Sequence, residues 1–205
     1  IGGSGLAKLS ALSNTRRQVV RTPFGEPSGA LTFGTLGGQE VVFLARHGYG
    51  HTIAPHEINY RANIWALKEL DVNGVLAVAA VGGIRADLVP GTLVVPDQII
   101  DYTHSRKSTF FGGAENPISH IDFTLPYSQS MRQMLLKAAT QCGEPVIDGA
   151  VYACTQGPRL ETAAEIERIA RDGGDLVGMT GMPEASLARE AELEYASLAV
   201  VVNHA

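Results

Sequence analysis

The stretch of the chain with the clearest chemical potential is Leu44–Leu67, which reads LARHGYGHTIAPHEINYRANIWAL. It places Arg46 and His47 side by side, directly after an apolar run and directly before a glycine. A guanidinium presents a planar fork of donors that fits phosphate oxygens, and an imidazole adds a further N–H donor. The pair therefore predicts an anion site at the end of a strand; the alternative is that both are ordinary surface residues.

A second possible anion site is the glycine-rich segment Gly2–Leu6, which reads GGSGL. Its backbone N–H groups and the Ser4 hydroxyl have the chemistry to hold a phosphate. The segment is not a P-loop, because the pattern GxxxxGK[ST] is absent. A flexible glycine–serine linker is the alternative interpretation.

The histidines near Arg46 also raise the question of a metal. His51 follows His47 by four residues, which is the spacing of two ligands on one face of a helix. The glycines between them disfavour a helix, and the nearby His56 completes no known zinc spacing. We therefore predict no metal site.

The elements that position the Arg–His pair can be read from periodicity and turn residues. Apolar runs at Ala30–Leu36 and Glu40–Ala45 flank two glycines, which predicts a β-hairpin whose second strand ends beside the pair. Apolar residues at helical spacing predict a helix over Asn59–Leu70. The loop between the hairpin and this helix would then carry the pair.

The rest of the chain alternates between strand-like and helix-like segments. The continuous apolar run Gly74–Gly83 is typical of a strand buried on both faces of a parallel sheet. This alternation predicts a single α/β domain over residues 1–205, with a central mixed, largely parallel sheet flanked by helices. We also expect a few residues before Ile1 and a closing helix after Ala205. Further strands are predicted at Thr92–Pro96, Gln98–Ile100, Gly149–Thr155, Asp175–Gly178 and Tyr195–Val202, and helices at Ser128–Thr140, Thr162–Arg171 and Pro183–Glu192.

Polar or glycine residues recur where predicted strands end. Ligands of open α/β sheets bind at the carboxyl ends of strands. We therefore expect one shared pocket. Its candidate residues are Arg46, His47, Gly82, Gly83, Glu161, Met179, Thr180 and Asn203.

Composition limits the class of partner. The 205 residues are 45% hydrophobic and carry a net charge of −5 with no basic run, which argues against nucleic acid as the main partner. The two cysteines, Cys142 and Cys154, form no CxxC pair, which favours a reducing, cytoplasmic setting. No apolar run is long enough for a membrane helix.

Six motifs, in order along nearly the whole chain, resemble the trimeric purine nucleoside phosphorylases and, within them, the methylthioadenosine phosphorylase branch. The motifs are GGSGL at Gly2–Leu6, LARHG at Leu44–Gly48, HTIAPHEINYRANIWALKEL at His51–Leu70, AAVGGIR at Ala79–Arg85, GPRLETAAE at Gly157–Glu165 and GMTGMPEASLARE at Gly178–Glu190.

The resemblance implies phosphorolysis, in which inorganic phosphate attacks C1′ of a purine nucleoside without a metal or organic cofactor. It implies that Met179 packs against the ribose and that His120 reaches the site of a neighbouring subunit in a homotrimer. Without the resemblance, Met179 would be read as a core residue and His120 as a loop histidine. The implied catalytic residues are Asn203 and His47, and the implied phosphate contacts are Ser4, Arg46, His47, the backbone at Ala79 and Ala80, and Thr180.

The base contacts depart from the methylthioadenosine branch. That branch has aspartates where this chain has Asn203 and Ala205, and a small hydroxyl residue where it has Glu161. An asparagine amide can donate to a 6-oxo group or N7, and a glutamate can accept the N1–H of a 6-oxopurine. Alternatively, Glu161 is a carboxylate at the start of the following helix, where the positive end of the helix dipole stabilises it.

These departures predict 5′-methylthioinosine as the substrate, with inosine and guanosine, or methylthioadenosine, as alternatives. A nucleosidase, which would need no phosphate, and a non-catalytic nucleoside-binding protein are the rival classes.

Overall fold

The computed structural model describes residues 1–6, 9–112 and 117–205. The strands are β1 (Ser13–Gln18), β2 (Leu31–Leu36), β3 (Gln39–Phe43), β4 (Val75–Gly83), β5 (Leu93–Val95), β6 (Gln98–Asp101), β7 (Val146–Asp148), β8 (Val151–Cys154), β9 (Leu176–Gly178) and β10 (Tyr195–His204). The helices are α1 (Tyr60–Glu69), α2 (Gln129–Cys142), α3 (Ala163–Arg171) and α4 (Gly181–Glu190).

The strands form two sheets. The larger has seven strands in the order β6-β8-β9-β4-β10-β5-β7, and the smaller is β1-β2-β3. In the larger sheet the pairs β6–β8, β8–β9, β4–β10 and β5–β7 are parallel, while β9–β4 and β10–β5 are antiparallel. The predicted fold class, α/β with a mixed, largely parallel sheet, is therefore confirmed.

The smaller sheet contains the predicted hairpin. Gly37 and Gly38 connect β2 to β3 with φ of 57° and 82°, the left-handed conformation that a two-residue hairpin turn requires. The third strand, β1, was missed because all six of its residues, SNTRRQ, are exposed and no apolar alternation marks them. The three-residue strand β7 was also missed.

The helices begin and end where capping chemistry allows. Asn59 caps α1 by accepting from the Ala62 N–H, and Ser128 caps α2, which ends at the left-handed Gly143. Thr162 and Glu165 form a capping box at the start of α3. In α4, Met182 and Pro183 have non-helical backbone angles, so the regular helix begins only after the proline.

The core lies around the central pair β4–β10, in which alternate residues are buried. Helices α2 and α4 pack against β10. Tyr195 pairs with Val75 and the register continues to Val201 with Val81. It then shifts by one residue, so that Asn203 faces Gly82 and Val202 is the extra residue of a β-bulge. No helix in the described part of the chain has the length and apolar character needed to cross a membrane.

Candidate active site

A cavity of about 570 Å³ opens beside the carboxyl ends of β4 and β10. Its walls come from the N-terminal turn, the loop after β3, the end of β9 and the loop between β8 and α3. Of the residues that the sequence predicted for the site, Gly83 and His120 do not line this cavity, while Gly82 and all the others do. The others are Ser4, Arg46, His47, Ala79, Ala80, Glu161, Met179, Thr180, Asn203 and Ala205.

The N-terminal glycine-rich segment is an integral part of the fold. The Gly2 N–H donates to the Leu44 carbonyl at 2.9 Å, and the Arg46 N–H donates to the Gly2 carbonyl at 2.9 Å. A Cβ on Gly3 would lie 2.6 Å from the Val78 carbonyl oxygen, so only glycine allows this approach. The linker alternative is therefore wrong, and the turn carries Ser4 to the cavity wall.

Arg46 is almost completely buried and is held by a carboxylate that the sequence analysis did not identify. Its Nε and Nη2 donate to the two carboxylate oxygens of Glu184 at 2.6 and 2.8 Å, and its Nη1 donates to the Val78 carbonyl at 3.1 Å. These three bonds leave one N–H on each terminal nitrogen for a ligand.

Both members of this pair are ionised. Burial alone would raise the pKa of Glu184, but the charge and hydrogen bonds of Arg46, with a further bond from the Tyr195 hydroxyl at 2.8 Å, hold it below its ordinary value. Burial likewise opposes the charge on Arg46, and Glu184 more than offsets it, so the pKa of Arg46 is raised. The positive charge of Arg46 at the cavity wall is therefore neutralised by the negative charge of Glu184 before any ligand binds.

His47 is buried beside Arg46, and its protonation differs from the prediction. Its Nδ1 donates to the Ile53 carbonyl at 2.8 Å. Burial lowers the pKa of His47, as do the charges of Arg46 and His51, whose ring centroid lies 4.5 Å away. The ring is therefore neutral at pH 7 and its free Nε2 is an acceptor, whereas the sequence analysis had expected a donor.

Thr180 and Met179 follow β9, which runs antiparallel to β4 with Val177 opposite Gly82. Both residues line the cavity together with Ala79 and Ala80. Thr180 occupies the N-cap position of α4, but its side chain makes no capping hydrogen bond. Met179 is half-buried at the cavity wall rather than in the core, because it sits past the end of its strand.

Glu161 lies in the cavity and is not a helix cap. The capping box of α3 is formed by Thr162 and Glu165 instead. The Thr155 hydroxyl donates to Glu161 at 2.5 Å, which fixes the carboxylate at the wall. The helix-start alternative for Glu161 is therefore not supported, and one carboxylate oxygen remains for a ligand.

Asn203 reaches the cavity because of the β-bulge at Val202. The extra residue reverses the alternation of β10, so that the side chain after it lies at the opening beside Gly82. The Asn203 amide donates to the His204 carbonyl at 2.7 Å, leaving one N–H and the amide oxygen free. Ala205 follows and donates its N–H to the Gly83 carbonyl at 2.9 Å.

His120 is exposed in the loop before α2 and does not line the cavity of its own chain. Among residues 1–6, 9–112 and 117–205, no group of three or more His, Cys, Asp or Glu side chains could hold a metal. Cys154 is buried at the end of β8, and this burial raises the pKa of its thiol to about 12. That thiol is therefore not a nucleophile at neutral pH.

Sequence reasoning missed two residues behind the cavity wall. Glu184 lies within the motif GMTGMPEASLARE, and a charged residue inside an otherwise apolar helix start is a signal that could have identified it. Arg106 lies in a polar loop whose composition gives no such signal. Its guanidinium donates to backbone carbonyls of two cavity-wall segments.

An α/β fold with a polar cavity at the carboxyl ends of its strands is typical of enzymes that bind small polar substrates. The chain belongs to the phosphorylase superfamily, whose family model matches residues 1–205. Its relatives are nucleoside phosphorylases, and the chain is a pentosyltransferase of that class.

Two relatives illustrate the similarity. A protein from Pseudomonas syringae pv. tomato, described as a probable S-methyl-5′-thioinosine phosphorylase, is 54% identical over 205 residues, which are 100% of this chain and 83% of the relative. The 6-oxopurine nucleoside phosphorylase of Pyrococcus furiosus is 50% identical over 210 residues, covering 100% of this chain and 78% of the relative.

Solved structures share the fold. A methylthioadenosine phosphorylase from an Antarctic soil metagenomic library superimposes with a TM-score of 0.94 at 42% identity, covering 99% of this chain and 71% of that one. The Schistosoma mansoni methylthioadenosine phosphorylase in complex with tubercidin superimposes with a TM-score of 0.94 at 38% identity, and the match covers 99% of this chain and 80% of that one.

Proposed function

We propose that the protein catalyses the reversible phosphorolysis of S-methyl-5′-thioinosine, giving hypoxanthine and S-methyl-5-thioribose 1-phosphate. Inorganic phosphate is the co-substrate, no metal or organic cofactor takes part, and the reaction serves purine and methylthio-nucleoside salvage in the cytoplasm. Relatives named as thioinosine and 6-oxopurine phosphorylases support this substrate class.

The observation that carries the proposal is that Glu161 and Asn203 line the same cavity. A 6-oxopurine has an N1–H donor and an O6 acceptor on the same edge. The fixed Glu161 carboxylate is an acceptor for N1–H, and the free Asn203 N–H is a donor for O6 or N7. Adenine lacks the N1–H, so it would leave Glu161 without its partner and cost roughly 1–3 kcal/mol.

The opposite wall supports phosphate as the nucleophile. The Ser4 and Thr180 hydroxyls, the remaining Arg46 N–H groups and the backbone at Ala79 and Ala80 are donors, and His47 Nε2 accepts from a P–OH group. Phosphate held there would stabilise positive charge on the sugar as the glycosidic bond lengthens, and then bond to C1′. Catalysis would rest on positioning and electrostatics, with Asn203 stabilising the departing purine.

A phosphorolysis assay on methylthioinosine, inosine, guanosine and methylthioadenosine, with and without phosphate, tests the proposal. We expect base release to depend on phosphate and to be fastest with methylthioinosine. Release without phosphate would instead identify a nucleosidase, and no release at all a binding protein. A preference for methylthioadenosine would overturn the base assignment, and a preference for inosine or guanosine would identify a general 6-oxopurine phosphorylase.

We further propose a homotrimer in which His120 reaches the neighbouring subunit's site near the sugar 5′ position. Its exposure outside the cavity of its own chain is compatible with this role. Light scattering measures the oligomeric state. In mixed trimers of the inactive Asn203→Ala variant and the His120→Ala variant, some sites combine an intact cavity with an intact neighbouring His120. Activity above that of either parent is expected, and its absence would refute the arrangement.

A further inference from the structure

Arg106 binds two separate segments of the cavity wall. Its Nη1 donates to the Met179 and Met182 carbonyls at 2.8 and 2.6 Å. Its Nη2 donates to the Gln156 and Thr155 carbonyls at 2.8 and 3.2 Å. One planar guanidinium thus joins the β9–α4 turn and the first residues of α4 to the loop between β8 and α3.

These two segments carry different parts of the site. The β9–α4 turn supplies Met179 and Thr180 to the sugar and phosphate side of the cavity. The β8–α3 loop contains Thr155, whose hydroxyl holds Glu161 on the base side. Arg106 itself does not line the cavity.

The partners of Arg106 suit a positioning role. No carboxylate lies within ion-pair distance of Arg106 among the described residues, and its donors instead point to carbonyls and to side-chain oxygens of Gln156 and Tyr60. An arginine fork reaches two chain segments at once with fixed geometry. A lysine ammonium has three donors on one nitrogen, so it cannot reproduce the five N–H groups that the guanidinium spreads over three nitrogens in one plane.

We propose that Arg106 is a positioning residue that fixes the spacing between the sugar–phosphate wall and the base wall of the cavity. The proposal rests on the phosphorolysis described above. Because a misplacement of about 1 Å can reduce catalysis by around a hundredfold, loss of the bridge should weaken the use of both substrates and not only one.

The test compares Arg106→Lys with Arg132→Lys. Arg106 is half-buried and Arg132 is buried. Arg132 also donates to backbone carbonyls, those of Pro96 and Val95, and to the Asp148 carboxylate, but it lies outside the cavity. Steady-state kinetics are measured with nucleoside and phosphate varied separately, and folding is checked by circular dichroism. In Arg106→Lys we expect kcat to fall about 10- to 100-fold and both KM values to rise, whereas Arg132→Lys should retain wild-type kinetics even if it melts earlier.

If kcat and both KM values of Arg106→Lys lie within twofold of wild type, or if only one KM changes, the proposed role of Arg106 is refuted. If this variant does not fold, Gln156→Ala is measured instead, because it removes the side-chain oxygen that accepts from Arg106 Nε, and also from the His104 N–H, while leaving the guanidinium in place. A joint rise of both KM values supports the role, and unchanged values refute it. The wild-type enzyme in the same assay distinguishes a failure of the proposed function from a failure of the proposed role of Arg106. A wild type without phosphate-dependent base release refutes the proposed function, and an active wild type with an unaffected variant refutes only the role of Arg106.

Discussion

The buried Arg46–Glu184 pair allows a quantitative prediction. In Glu184→Gln the side chain keeps its volume and loses its charge, so Arg46 remains as an uncompensated cation that is 1% exposed. Breaking a buried ion pair on one side typically costs about 3–5 kcal/mol of unfolding free energy. For a chain of this size, each kcal/mol corresponds to roughly 2–4 °C in Tm, so we expect a loss of about 6–20 °C.

Phosphate should reverse part of this loss. In the wild type, Glu184 already neutralises Arg46, so bound phosphate stabilises the fold by ordinary mass action. At a hundredfold excess over its Kd, that gain is about 2.7 kcal/mol. In Glu184→Gln, phosphate also returns the missing negative charge to Arg46. We therefore expect phosphate to raise the Tm of the variant by more than it raises the Tm of the wild type.

The assay is thermal unfolding at fixed protein concentration, in phosphate-free buffer and with saturating phosphate. Glu165→Gln is the matched control, because Glu165 also accepts two hydrogen bonds from an arginine, Arg159, but on the exposed surface. Screened surface pairs contribute little, so its Tm should barely change. A Tm loss below about 2 °C in Glu184→Gln, or an equal gain from phosphate in variant and wild type, would refute the reasoning.

Three further predictions concern the two ends of the cavity. Asn203→Asp should lower kcat/KM for inosine or methylthioinosine about 5- to 150-fold, because a carboxylate would face O6 at a cost of about 1–3 kcal/mol, and should gain some adenine-type activity; unchanged kinetics would contradict the base assignment. Thr155→Val should raise the nucleoside KM more than the phosphate KM, since the short bond of the hydroxyl is to Glu161 at 2.5 Å, while its contact with the Gly178 carbonyl is 3.3 Å; equal effects on both constants would show that the hydroxyl does more than hold this carboxylate. Sulfate, which carries no proton to donate at these pH values, should inhibit more strongly as the pH falls through the pKa of His47, which burial and the nearby charges hold below its ordinary value, because protonation converts Nε2 into a donor. His47→Asn should abolish this pH dependence and His51→Asn should preserve it, as inhibition constants at several pH values would reveal.

The local features of the fold could be predicted from the sequence because their causes are local. The hairpin turn at Gly37-Gly38 and the cap of α1 at Asn59 each depend on a few neighbouring residues. The long apolar strand β4 was evident from its run of buried residue types. By contrast, β1 is exposed along its whole length, and its place in a sheet depends on pairing with β2.

The sequence predicted most of the residues that line the cavity, but it did not predict their charge partners or their protonation. Arg46 and His47 were expected as donors because they are adjacent and follow a strand. Their actual partners are set by tertiary contacts: Glu184 lies 138 positions away, and the Ile53 carbonyl determines which nitrogen of His47 is free. A periodic pattern reports which face of an element is buried, and it does not report which two polar groups meet there.

These partners make the proposed phosphate site nearly neutral. Among the described residues that line the cavity, Arg46 is the only permanent cation, Glu184 cancels its charge, and His47 is uncharged at pH 7. A site rich in free cations would bind phosphate more tightly, but it would also withdraw the negative charge that must stabilise an oxocarbenium-like sugar. Uniform tight binding of the ground state does not raise kcat. In the proposed mechanism, a neutral wall of oriented donors would hold the phosphate in place and leave its charge available to the sugar.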